Sequence, residues 1–150
     1  MIFVDTNIYF YARDARYPAE QATCQAWLIA LGRSRRGMAN LQVANEFVHV
    51  VRRKLPGFPA EQVFAMADEI MVWGDSSISV TETIGARRLH AELGYSWWDC
   101  LLIASALELG CTHFLSEDLQ DGQRIEAGGK ALTIVSPFAH TPDHILSPQG

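Results

Sequence analysis

The chain has 150 residues, 49% hydrophobic and 19% charged, ordinary proportions for a soluble globular protein that buries its own core without disulfides or a structural metal. A formal charge of −5 and a pI near 5.4 argue against a protein that holds nucleic acid by bulk positive charge, although bound divalent cations would cancel most of that charge. No apolar run approaches the ~18 residues of a membrane span, and MIFVDTN is too short and too acidic for a signal peptide, so the expectation is a single cytoplasmic domain over 1–150.

The opening IFVD reads as a short buried strand ending in Asp5, with a helix starting at TNIYFYA. Asp5 therefore sits at a strand's carboxyl end, the edge of an α/β sheet where ligands bind. Taken alone, Asp5, Thr6 and Asn7 are equally explained as a helix cap. Pro18 to Leu31 is the next expected helix, with proline in its first turn and Gly32 after its last. The arginines at 33, 35 and 36 and the basic run Arg52, Arg53 and Lys54 suit helix carboxyl ends and solubility.

Asn40 to Leu55 forms a third helix, capped by Asn40 and presenting Leu41, Ala44, Val48, Val51 and Leu55 to the core. Glu46 lies off that stripe among Val43, Phe47 and Val50, where a carboxylate is costly unless paired or metal-bound. His49 is a possible hydrogen-bond partner for it. Pro59 to Trp73 is helical with a wide apolar face, SISV at 77–80 reads as a strand, and a helix opens at Thr81.

The stretch from Ser96 to Asp121 is the most informative. CLLIASALELG is apolar on nearly every side, as in a helix buried at the centre of a domain, and Gly110 ends it. CTHFL follows as a strand, SEDLQDG as the loop at its carboxyl end, and ALTIV at 131–135 as the last strand. Strands alternating with helices imply a parallel sheet covered on both faces. From about 137 to 150, three prolines and few apolar residues predict an irregular tail containing His140 and His144, which Pro142 keeps off a common helical face. Cys24, Cys100 and Cys111 are widely spaced and read as buried thiols.

Four acids share one description. Asp5 and Asp118 lie at strand carboxyl ends, Asp99 lies in the first turn of the central helix, and Glu46 has an apolar surround. Oxygen ligands without histidine or cysteine suit Mg²⁺ or Mn²⁺, cations that bind phosphate oxygens and activate water for attack on a phosphoester. The absence of GxGxxG and GxxxxGK[ST] excludes the common nucleotide loops, and DTN lacks the second aspartate of a DxD phosphatase.

The opening IFVDTN, the helical Glu46, SWWDCLLIASALELG and FLSEDLQDGQRIEAGGKALTIVSPF together resemble a PIN domain, and within that family the VapC-type ribonuclease toxins of toxin/antitoxin pairs. The resemblance covers nearly the whole chain. It implies a three-layer α/β/α sandwich with a parallel five-stranded central sheet. It also implies a metal site of Asp5, Glu46, Asp99 and Asp118, supported by Thr6, Asn7 and Ser116. Asp118 is chosen over Glu117 and Asp121 because the resemblance aligns the acid two positions after Ser116 with the family's site. Asp121, otherwise a turn residue before Gly122, is left as a ligand through water.

The activity implied is a Mg²⁺- or Mn²⁺-dependent endoribonuclease that leaves 5′-phosphate and 3′-hydroxyl ends and is inhibited by an antitoxin. Another metal-dependent phosphohydrolase, or a catalytically silent binding module, is the alternative. The inhibitor is expected to cover apolar surface from the first two helices and the Pro59 to Trp73 helix, with Tyr9, Phe10, Tyr11, Phe64 and Met71 as candidate contacts, and a homodimer is also expected.

Overall fold

The computed structural model describes residues 1–147. Its frame is set by three very short strands, apolar but for His113. β1 (Ile2–Val4) pairs with β2 (Gly37–Met38) on one side and β3 (His113–Leu115) on the other, all parallel. β5 (Lys130–Val135) continues the parallel series beside β3, and β4 (Arg124–Ala127) closes that edge antiparallel to β5, giving the order β2-β1-β3-β5-β4. The sheet is thus five-stranded as expected, but its last pair is antiparallel rather than parallel.

The cause is local. Gly128 and Gly129 both adopt positive φ, 59° and 77°, and fold the chain straight back into a two-residue hairpin, where a parallel pairing would need a long crossover.

Helices supply the covering layers. These are α1 (Thr6–Tyr11), α2 (Pro18–Ser34), α3 (Leu41–Lys54), α4 (Ala60–Val72), α5 (Val80–Leu93), α6 (Trp97–Glu108) and α7 (Pro142–Leu146). The chain leaves β1 in one direction to reach β2, then returns past β1 to β3. Right-handed crossovers in opposite directions place helices on both faces of the sheet. α6 is buried without a break from Cys100 to Leu107, as its all-round hydrophobicity predicts. Phe3 and Phe114 stack at 5.3 Å across the β1–β3 pair.

Several elements differ from expectation. SISV is not a strand, because Ser79 and Glu82 form a capping box that starts α5 at Val80, and Ile78 packs against the core from an extended connection. α2 passes through Gly32 to Ser34 and ends only where Arg35 turns left-handed at φ 56°. The buried stripe of α3 is Val43, Ala44, Phe47 and Val51, one residue round from the predicted face, so Leu41 and Val48 are only half-buried.

The tail is not wholly irregular. Thr141 caps α7, the Trp27 indole donates to the Pro137 carbonyl at 3.1 Å, and the rings of His140 and His144 lie 5.3 Å apart despite Pro142. Proline at the first helical position of α7 starts that helix rather than breaking it. Residues 148–150 of the predicted tail lie outside the described residues. The three cysteines are buried and unpaired. Among the described residues no helix is long and apolar enough to cross a membrane.

Candidate active site

The register of β1 against β3 builds the first part of the site. Val4 pairs with Leu115, so the next residues, Asp5 and Ser116, leave the sheet side by side. The Asp5 amide donates to the Leu115 carbonyl at 3.0 Å, and the Ser116 hydroxyl donates to Asp5 Oδ2 at 2.7 Å. This is the point where successive connections diverge to opposite sides of β1, the place where open α/β sheets form their binding crevice. Asp5 is also the N-cap of α1, accepting from the Thr6 amide at 2.7 Å, so the capping reading and the site reading describe one residue.

α1 and α3 add the next layer. The Thr6 hydroxyl donates to Glu46 Oε2 at 2.9 Å, and Gln42, one turn before Glu46 on α3, donates to Oε1 at 3.0 Å. These two, and not the exposed His49, are the partners of Glu46. Asn40 fixes the start of α3: its Oδ1 accepts from the Val43 amide at 3.0 Å while its Nδ2 donates to Ser105 of α6 at 2.9 Å, both fully enclosed.

Asn7 draws the strand ends together. Its amide group donates to Asp118 Oδ2 at 2.9 Å and reaches Ser116 Oγ at 3.3 Å and Asp5 Oδ2 at 3.5 Å. The Asp118 amide in turn donates to Ser116 Oγ at 3.3 Å. Asp99 enters from the first turn of α6, where Ser96 accepts from its amide at 3.1 Å.

All four predicted acids line one cavity of about 950 Å³, together with Thr6 and Asn7; Ser116 stands behind them, fully buried. Asp121 is not in that lining. Its carboxylate accepts from the Ser136 amide at 2.8 Å and lies 2.9 Å from His140 Nε2, so it anchors the segment leading to α7 and offers no free oxygen to the site.

The electrostatics show that these acids share a space. Asp5 is 5% exposed, and burial, partly opposed by Ser116, pushes its carboxyl up from 3.8 to about 7, with the charges of Asp99 and Glu46 adding to the rise. Asp99 is also raised, first by burial and then by the charge of Asp118, against a lowering hydrogen bond from Ser96. Asp14 differs: although enclosed, it is held below the usual range by its two-pronged pairing with Arg16, and it serves as an internal ion pair.

Sequence reasoning did not single out the rest of the lining. Arg16, Tyr17, Gln42, Asn45, Trp98 and Lys54 all face the cavity, and the last had been assigned to helix capping. Glu117, set aside in favour of Asp118, is there too, accepting from the Tyr11 hydroxyl at 3.1 Å.

Among the described residues, no three His, Cys, Asp or Glu side chains are gathered closely enough to hold a metal ion unaided. The donor set is nevertheless all oxygen, and an open arrangement of carboxylates fits a hard cation that keeps several waters and completes its shell with substrate oxygens. Placing mutually repelling acids around a buried carboxylate is otherwise only a cost.

The PIN domain family model matches residues 2–123. No curated protein matches the sequence. Among solved structures, VapC20 of Mycobacterium tuberculosis, described as a Sarcin-Ricin loop cleaving toxin, is 17% identical with a TM-score of 0.54, covering 76% of this chain and 87% of its own. VapBC2 from Rickettsia felis, described as bound to a DNA fragment from its promoter, is 16% identical with a TM-score of 0.60, covering 91% of this chain and 98% of its own. At these identities the likeness is one of fold.

Proposed function

This chain belongs to the PIN domain family, and from that premise we propose that it is a single-domain, cytoplasmic, divalent-metal-dependent endoribonuclease, the toxin of a toxin/antitoxin pair. The observation that carries this reading is the buried carboxyl of Asp5, raised in pKa and repelled by Asp99 and Glu46 within a cavity roomy enough for a nucleotide. The two VapC structures share the fold, and one is by its own description a toxin that cleaves the Sarcin-Ricin loop.

Asp5, Asp99 and Asp118, with Glu46, would hold Mg²⁺ or Mn²⁺. When bound, such a cation supplies Lewis-acid chemistry, lowering the pKa of water and offsetting charge on phosphoryl oxygens. The chain's own residues do the positioning. Thr6 and Gln42 hold both oxygens of Glu46, Ser116 holds Asp5, and Asn7 ties Asp118 to that pair, so the carboxylates are oriented before substrate arrives. Water attacks phosphorus and the 3′ oxygen leaves, so the products carry 5′-phosphate and 3′-hydroxyl ends and the RNA 2′-hydroxyl has no part.

The test is cleavage of structured RNAs by purified protein in Mn²⁺, in Mg²⁺ and in excess EDTA. Cutting in at least one metal and none in EDTA is expected. Full activity in EDTA would end the proposal.

An antitoxin needs an apolar surface, but three of the residues expected to provide it do not. Tyr9 and Phe10 are each 7% exposed and belong to the core, and Tyr11 is turned into the cavity wall. The surface lies instead on α2 and α4, where Ile29 and Phe64 are more than half exposed. Ile29 lines a groove of about 280 Å³ with Leu28, Met66, Ile70 and Trp73, with the buried Tyr9 hydroxyl unpartnered at its wall, and Phe64 stands exposed elsewhere on α4. Met71 is half-buried at the edge of this helix.

Phe64→Asp is expected to leave RNA cleavage unchanged and to weaken capture of the co-expressed antitoxin by at least about tenfold. Equal capture would move the interface elsewhere. Val72, Val80 and Ile84, all exposed, are free to join a second copy as a homodimer, which light scattering on the eluted protein reads out directly.

A further inference from the structure

α6 is enclosed from Cys100 to Leu107, so its first turn is where the helix meets solvent beside the acids, and there it carries two adjacent tryptophans. They have different surroundings. Trp97 is half-buried and packs edge-on against His90 at 6.3 Å. Trp98 is 61% exposed, makes no aromatic contact among the described residues, and lines the cavity directly beside Asp99.

A bare indole is an unusual choice for that position. The second residue of a helix tolerates almost any side chain, and an exposed large aromatic gains nothing from folding. The remaining lining of the cavity mixes polar groups with Phe10, Leu41, Val50 and Ile78, and besides the acids it includes the cation Lys54 and the Asp14-paired Arg16. An aromatic plane, a carboxylate centre for a hard cation and a separate basic side chain are the parts that recognise an unpaired nucleotide: base on the ring, phosphates on the charges.

We propose that Trp98 is a specificity-determining residue, the platform on which the base next to the cleaved phosphate stacks, so that the site accepts single-stranded segments and rejects duplex. This rests on the ribonuclease reading. A base held inside a helix is already stacked on its neighbours and cannot reach the indole without unpairing, so the platform favours loops and ends.

Three measurements on the full chain test it. Trp98→Ala should raise KM for a single-stranded RNA about 10- to 100-fold while kcat changes by less than about threefold, and Trp98→Phe should recover most of the loss. The melting temperature should not move, since the side chain is exposed. A short single-stranded oligonucleotide added in Ca²⁺ should quench the fluorescence of the parent protein, and that quench should vanish in Trp98→Phe although the oligonucleotide still binds.

Unchanged KM in Trp98→Ala would overturn the proposal. So would a quench that survives in Trp98→Phe, or a Trp98→Ala variant impaired only in antitoxin binding or self-association. A parent protein that neither binds nor cuts any RNA would bring down the ribonuclease reading itself, and this inference with it.

Discussion

Asp5→Asn is expected to make the metal-free protein more stable at neutral pH while abolishing metal-induced stabilisation and reducing RNA cleavage at least about 100-fold, since even the neighbours of metal ligands are commonly worth 10- to 100-fold in affinity. The direction follows from the buried carboxyl, raised from 3.8 to about 7 chiefly by loss of water. Below about pH 4 the group is neutral in both folded and unfolded chains and carries no penalty. Between there and about pH 7 the unfolded chain ionises while the folded one keeps its proton, so stability falls as pH rises. Above that range both are ionised and the penalty is complete, on the order of 4 kcal/mol.

Asparagine removes this slope and keeps the geometry. Its carbonyl can still accept from the Thr6 amide, and its amide group can donate to Ser116 once that hydroxyl turns. Denaturant unfolding in EDTA at about pH 4 and about pH 8 checks it: the variant should gain on the parent only at the higher pH. A variant less stable than the parent at both would show that the carboxylate is needed for folding rather than for a cation.

Asp99→Asn separates a site residue from a helix cap. As a cap, Asp99 would favour the dipole of α6 and its loss would cost roughly 0.3 to 1 kcal/mol with activity intact. Two features oppose that. The capping hydrogen bond runs from the Asp99 backbone amide to the Ser96 hydroxyl, so it survives the substitution. Moreover the carboxyl is raised above its ordinary value, by burial and by Asp118, so its surroundings disfavour the charge that a cap would exploit.

In metal-free protein near neutral pH, Asp99→Asn should therefore be as stable as the parent or more so. Its stabilisation by Mn²⁺ and its cleavage of RNA should both fall sharply. Melting temperature with and without Mn²⁺, alongside cleavage, reads both arms. A destabilised but fully active variant would return Asp99 to the role of a cap.

Which parts of this could be read from the residues depended on how local their causes are. The burial of α6 and the strand ends at Asp5 and Ser116 follow from apolar runs and the residues that stop them. The antiparallel β4 was also within reach, since the Gly128–Gly129 pair between RIEA and KALTIV is a hairpin signal. β2, at two residues, carries no periodicity to read. SISV misleads because its β-branched residues outweigh, by propensity, a capping box that begins inside it.

The site divides in the same way. The four acids could be nominated one at a time from setting and family pattern. That Asn7 would bridge Asp5 and Asp118, or that Gln42 rather than His49 would hold Glu46, depends on how α1, α3 and the loop after β3 meet. Asp121 shows the converse. Its closeness in sequence to Asp118 says little, because the loop turns at Gly122 and points its carboxylate at Ser136 and His140.

The most direct test is cleavage of a defined RNA in heavy-oxygen water with Mn²⁺, the fragments being weighed by mass spectrometry. Hydrolysis at the carboxylate site predicts one solvent oxygen in each new 5′-phosphate and an unmodified 3′-hydroxyl on the other fragment. Fragments ending in 2′,3′-cyclic phosphate and 5′-hydroxyl, formed without solvent oxygen, would mean that the 2′-hydroxyl is the nucleophile and that Asp5, Glu46, Asp99 and Asp118 do not perform the chemistry assigned to them.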